Sequence, residues 1–294
     1  MACQRKISIR FYNDREVRAV WDDENTKWWF SVLDVVGAIN GQDDYTRTRN
    51  YWKYLKTKLR KQGSEVVSAT NQLKLMAPDG KRRLTDVLDY DGVRELAKNI
   101  PNQNAARFIH WFVSDSESID GKSRDKAYAM WDSGLIDSIE IDTTRGLQQI
   151  HGYLFGGLYD FAGQIRNVTI SKGGFTFCRA QYLHQALKEI DQMPDSNFDE
   201  IVSKYVEMNV AHPFMEGNGR STRLWLDLLL KNRIGQCVDW SHIAKRDYMN
   251  AMVLSATDSS LLRNLLRGAL TDKVDDRETF LKGIDYSYYY EQED

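Results

Sequence analysis

Hydrophobic and polar positions alternate at the start of the chain and fall into helical spacing for most of its length. In "ISIRFYNDREVRAVWDDENTKWWFSV", Ile7, Ile9 and Phe11, then Val17, Val20 and the run from Trp28 to Phe30, flank polar turn residues. A period of two broken by turn chemistry predicts a hairpin. "SVLDVVGAIN" predicts a short helix capped by Ser31. "RNYWKYLKTKLRKQG" sets Trp52, Leu55 and Leu59 at helical spacing, with a basic outer face and a terminal glycine. "LKLMAPDGKRRLTDVL" reads as two strands about a Pro-Asp-Gly turn, and "DYDGVRELAKNIP" and "AARFIHWFV" as further helices. Residues 5–113 are therefore expected to form a small α+β domain.

The polar stretch "SDSESIDGKSRD", residues 114–125, is expected to be a linker. From 126 to 294 the pattern predicts a mainly α domain. "TTRGLQQIHGYLFGGLYDFAG" carries Leu147, Ile150, Leu154 and Leu158 on one side, and "SNFDEIVSKYVEMNVAH" carries Phe198, Ile201, Val202, Tyr205, Val206 and Val210. "GRSTRLWLDLLLKNRIG" stops at Gly235. "QIRNVTISKGGFTFC" predicts a β-hairpin inserted among the helices, two short runs around Lys172-Gly173-Gly174.

Composition narrows the class. Hydrophobic residues at 42% and charged residues at 28% are ordinary for a globular protein. The start of the chain lacks an apolar signal-peptide core, no run approaches a membrane span, and Cys3, Cys178 and Cys237 are few and scattered. A cytoplasmic location without membrane partners is the expectation. The net charge of −2 hides an asymmetry: residues 1–114 hold 20 Lys+Arg against 14 Asp+Glu, and the remainder 20 against 28. Such a split suggests two modules with different partners.

The chemistry concentrates in "HPFMEGNGRSTR", His212 to Arg223. Gly217, Asn218 and Gly219 open a helix, where unpaired N–H groups and the helix dipole favour an anion. Arg220 and Arg223, three apart, share a helix face and could grip a polyphosphate. Glu216 can hold Mg²⁺ against phosphates, and His212 can accept a proton from a hydroxyl. A carboxylate or a histidine alone would be ordinary packing. Two glycines and two arginines in phase with a helix start are not so easily explained.

This stretch resembles the signature of the Fic family, H-x-F-x-[DE]-G-N-G-R-x-x-R, at every fixed position, and "IHGYLFGGLYDFAGQIRNVTISKGGFTF" is similar to that family's helix and flap. The resemblance covers roughly Asp125 onward and implies an α-helical core with a β-hairpin flap. It implies AMP transfer from ATP to a Ser, Thr or Tyr hydroxyl of a target protein, with His212 as general base and Glu216 holding Mg²⁺. Gly217, Asn218, Gly219 and Arg220 would hold phosphates, and Arg223 the γ-phosphate. The flap residues Lys172, Gly173, Gly174, Phe175, Thr176 and Phe177 would pin the target, with Lys172 also reaching phosphate. Asn209 and Tyr248 would serve the base and ribose side. In the tail "GIDYSYYYEQED", Ser287 and Glu291 are similar to the family's inhibitory motif, although Gln292 departs from its last position. A helix over about 284–292 would let Glu291 pair with Arg223. The run Tyr288–Tyr290 adds a site for self-modification.

Residues 5–113 resemble the Bro-N domain of phage antirepressor-type proteins, carried by "WWFSVLDVVGAI", "YWKYLKTKLRKQG", "LKLMAPDGKRRLTDVL" and "GVRELAKNIP". That implies DNA binding, through Lys53, Lys56, Lys58, Arg60, Lys61 and Lys81-Arg82-Arg83; recruitment of a protein by this module is an equal alternative, and self-association stays open. Two other readings compete with AMP transfer: a DNA-binding regulator whose Fic domain senses nucleotide, and a Fic enzyme that uses another nucleotide or removes AMP.

Overall fold

The computed structural model describes residues 7–22, 24–25, 27–76 and 81–292. The chain divides into two units, one ending at Glu117 and the other beginning at Ser118.

The first unit opens with β1 (Ile7–Tyr12), β2 (Arg15–Asp22) and β3 (Lys27–Ser31). Asn13 and Asp14 both take positive φ, 47° and 62°, the backbone a tight hairpin turn requires. The expected hairpin is therefore the first half of a three-stranded meander. It is followed by α1 (Val32–Asn40), α2 (Tyr45–Lys61), α3 (Glu65–Ala69), β4 (Asn71–Met76), β5 (Arg82–Leu88), α4 (Tyr90–Lys98) and α5 (Asn104–Glu117). The sheet is antiparallel in the order β1-β2-β3-β5-β4. Ser31 caps α1 as expected, its side chain accepting from the Asp34 N–H. Trp52, Leu55 and Leu59 turn inward from α2 to join Phe30, Val36, Leu96, Phe108 and Phe112 in one core. The Pro-Asp-Gly turn lies outside the described residues.

The second unit contains α6 (Ile119–Asp132), α7 (Thr144–Phe155), β6 (Ser171–Lys172), β7 (Phe175–Thr176), α8 (Ala180–Asp191), α9 (Phe198–Ala211), α10 (Asn218–Ile234), β8 (Cys237–Val238), α11 (Lys245–Ser255), α12 (Ser260–Gly268), β9 (Leu270–Thr271) and α13 (Arg277–Tyr290). Helix α10 runs through the middle and buries Trp225, Leu226, Leu229 and Leu230. The expected flap is present as β6 and β7, paired in the register Ser171 with Thr176 and Lys172 with Phe175.

Three expectations need correction. The stretch 114–125 is no loop: α5 and α6 occupy it and break only at Ser118, which caps α6 through the Gly121 N–H. The hidden face of α6 mixes Gly121, Ser123, Arg124 and Ala127 with Tyr128 and Met130, so no continuous apolar stripe marks it. Leu158 lies beyond α7, because Gly156 ends the helix and Gly157 turns with φ of 75°. The tail helix starts at Arg277, earlier than about 284, with Asp276 as its cap.

Candidate active site

The loop between α9 and α10 is shaped by side chains that hold its own backbone. Helix α9 ends at His212, whose φ is 49°, the left-handed region. The chain re-enters helix at Asn218 after Gly217, whose φ is 78°. A Cβ at Gly217 would lie 2.5 Å from the Phe155 ring, so glycine serves both conformation and space there. Asn218 is buried and clamps the loop: its amide nitrogen donates to the Phe214 carbonyl, and its amide oxygen accepts from the Phe214 N–H, each at 2.8 Å. The Asn218 side chain thus builds the nest.

His212 is half-buried. Its Nδ1 donates to the Asn209 carbonyl at 3.2 Å, which leaves Nε2 with a free lone pair. Phe177 of the flap stem stacks on its ring at 3.7 Å between centroids. Burial pushes the ring's pKa down to about 4, so it is a neutral base at pH 7. Asn209 serves His212 through its main-chain carbonyl.

The two arginines are buried and each has acidic partners. Arg220 pairs with Glu216 at 2.9 Å and with Asp120, between the rings of Phe155 and Tyr288. Arg223 donates through Nε to Ser287 Oγ at 2.8 Å and through Nη2 to the Ser287 carbonyl at 2.7 Å and to the Glu291 carboxylate. Burial opposes both charges of the Arg223–Glu291 pair. The oxygens around Arg223 nonetheless hold its pKa above the usual range, and Arg223 holds that of Glu291 below the carboxylate range. Glu291 reaches so far in that a Cβ on Gly219 would stand 2.1 Å from its Oε1. The expected Ser287–Glu291–Arg223 constellation is therefore assembled.

Tyr248 is misassigned by the sequence. It is 2% exposed, its hydroxyl lies 2.6 Å from the Tyr205 hydroxyl and accepts from Arg223 Nη1 at 3.4 Å, and its ring stacks on Tyr290. It walls the arginine rather than an open ribose site. Two of the three tyrosines in the run are unsuited to modification: Tyr288 donates to Ser123, Tyr290 donates to the Trp240 and Ile243 carbonyls, and both are buried, while Tyr289 is partly exposed. Lys172 stands exposed on the flap, near enough for its charge to depress the pKa of His212 and Glu291.

Glu216 is more than half exposed. Its Oε1 accepts from Arg220 and from the Gly217 N–H, which leaves the second oxygen for another ligand. A hard divalent cation prefers such an oxygen and takes its other ligands from phosphates and water.

Two supports escaped the sequence reading. His151 on α7 accepts from the Gly163 N–H at Nδ1, so its Nε2 donates to the Glu216 carbonyl at 2.9 Å, and its ring stacks on Phe214 at 3.8 Å. Arg166 donates to the carbonyls of Val168, Cys178, Ala211 and His212. A signal existed for His151: it is the polar residue on the apolar stripe of Leu147, Ile150 and Leu154.

Residues 141–230 match the Fic/DOC family, and residues 16–117 match the N-terminal domain of the BRO family. The probable protein adenylyltransferase Fic of Salmonella typhimurium is 30% identical over 143 residues, 44% of this chain and 71% of that protein. The probable protein adenylyltransferase y4lH of Sinorhizobium fredii is 26% identical over 184 residues, covering 58% and 88% of the two chains. The protein adenylyltransferase VbhT of Bartonella schoenbuchensis is 29% identical over 138 residues, 43% of this chain, and the match spans only 29% of VbhT's length.

Proposed function

The chain belongs to the Fic family, and from that premise we propose that it moves AMP from ATP to a hydroxyl of a target protein and is restrained by its own Glu291. The observation that carries the reading is a neutral His212, its Nε2 free, held beside a glycine-lined helix start that carries two buried arginines. The target hydroxyl attacks the α-phosphorus while His212 Nε2 takes its proton. The bond from that phosphorus to the bridging oxygen breaks, and pyrophosphate leaves. The N–H groups at the start of α10 and the guanidinium of Arg220 face the phosphate charge, and Arg223 serves the γ-phosphate. Mg²⁺, held by the second oxygen of Glu216, would neutralise charge on the α- and β-phosphates. The flap, exposed from Ser171 to Thr176, offers strand edges on which a target segment can lie.

Glu291 competes for Arg223. ATP that enters beside the pair finds its γ-phosphate partner occupied, and a misplaced α-phosphorus costs about 100-fold in rate. The test is labelled ATP and cell lysate. Glu291→Gly is expected to raise label transfer well above the unaltered chain, and adding His212→Ala to remove it. Equal labelling with and without Glu291 would refute the restraint, and labelling that survives His212→Ala would refute the reaction.

A further inference from the structure

The end of α9 is where the structure says more than the motif. A helix leaves its last carbonyls without intrahelical donors, and they form the negative end of its dipole. Here each carbonyl from Met208 to Pro213 has a donor. Met208 accepts from the His212 N–H at 3.0 Å, and Asn209 from the His212 ring. Val210 accepts from the Cys178 N–H at 3.1 Å. The next three all turn to one residue: Ala211 accepts from Arg166 Nη2 at 2.9 Å, His212 from Nε at 2.7 Å, and Pro213 from the Arg166 N–H at 2.9 Å.

The rest of the Arg166 guanidinium faces the flap stem. Nη1 donates to Val168 and Nη2 to Cys178, both at 2.6 Å, on the two arms that carry β6 and β7. Arg166 is 3% exposed, and among the described residues no carboxylate forms an ion pair with it. Carbonyl dipoles alone stabilise this buried cation. Only a planar fork with several fixed donors can reach all four side-chain acceptors at once; a lysine cannot. His212 meanwhile sits in a left-handed backbone conformation that costs on the order of 1–2 kcal/mol and persists only if its surroundings impose it. Its ring follows that backbone, and Phe177, at the end of the flap, covers the ring.

We propose that Arg166 is a positioning residue that fixes the backbone of His212 and ties it to the flap stem, so that a target segment docked on the flap acts directly on the placement of the general base. This rests on the AMP-transfer reading above. Transfer is measured from labelled ATP into lysate proteins in the Glu291→Gly background. Arg166→Met is expected to lower it about 100-fold, as for a misplaced reacting group. Affinity for a non-hydrolysable ATP analogue should stay within about twofold, because the interaction removed serves the reaction and not nucleotide binding.

A second arm uses the chain with Glu291 intact and follows the His212 ring by NMR titration. Arg166→Met should move its pKa up from about 4, since the guanidinium, with burial and Lys172, disfavours the charged ring against the pull of Glu291 and the Asn209 carbonyl. Arg166→Lys keeps a charge but loses the fork; it should leave the titration low and still lose transfer. If Arg166→Met does not fold, Arg166→Lys decides alone. Unchanged transfer in a folded variant overturns the proposal, as does an equal loss of analogue affinity. If Glu291→Gly itself transfers no label, the AMP-transfer reading fails. The titration still judges Arg166, and an unmoved His212 in Arg166→Met overturns its role.

Discussion

His151 and His212 are both kept neutral, chiefly by burial, but to different ends. His212 is half-open and keeps a lone pair for a proton, whereas His151 is fully buried and spends both ring nitrogens on the backbone. The shift is measurable as a pH dependence of stability, to which both rings contribute. Burial lowers the His151 pKa from 6.5 to about 4. The unfolded chain therefore binds more protons than the folded one between those values, and stability must rise with pH there. The contribution is complete above about pH 6.5 and gone below about 4, and linkage puts it on the order of 3 kcal/mol. Urea unfolding of His151→Gln across this range is expected to show a flatter pH profile and lower stability at pH 7. A slope identical to that of the unaltered chain would exclude His151 as its source. At this scale the sequence was legible where residue type and spacing bring side chains together, as for Arg223, Ser287 and Glu291. It is silent where the direction of a side chain depends on its neighbours. Asn218 points back into its own loop, and Tyr248 points at Arg223.

Among the elements, α13 carries the proposed restraint, and its contacts extend beyond the ion pair. Gln292 departs from the family pattern at the helix end, but Lys245 at the start of α11 donates to the Gln292 carbonyl at 2.6 Å and lies over the Tyr289 ring. A cation from a neighbouring helix thus satisfies a terminal carbonyl and meets the negative end of the α13 dipole. Lys245→Met should loosen the last turn without touching Arg223 or the motif. One charge-assisted bond is worth about 1.5 kcal/mol, so transfer should rise by up to about tenfold, less than in Glu291→Gly. Faster amide exchange in the last turn of α13 should accompany it; unchanged exchange and transfer would assign the restraint to Glu291 alone. The periodicity that revealed α2, α7, α9 and α10 could not reveal α6. Its hidden face sets Gly121, Ser123 and Arg124 beside Tyr128 and Met130, so in sequence it looks like a linker. Helices recognised by apolar stripes bury a continuous apolar face, whereas α6 buries Ser123 and Arg124 alongside Met130.

Across the whole molecule, the charge asymmetry follows the division at Ser118, and each unit has its own core and its own family match. No described helix is long and apolar enough to cross a membrane. The first unit's basic helix is not uniformly available. Lys56 is taken by Asp86 at 2.7 Å, whereas Lys53, Lys58, Arg60 and Lys61 stand exposed on the outer face of α2. Exposed cations on one helix neutralise phosphates by releasing counterions, so any DNA affinity they give must fall with salt. The full chain is expected to shift a short DNA duplex at about 50 mM salt and to release it as salt rises. Replacing Lys53, Lys58 and Lys61 together by glutamine should weaken binding evenly across duplex sequences and reduce the salt slope by about three, one for each phosphate no longer neutralised. Lys56→Gln should instead lower stability by leaving Asp86 without its cation, with little change in that slope. No shift at low salt would turn the module toward recruiting a protein, and this basic face would then be solvated surface only.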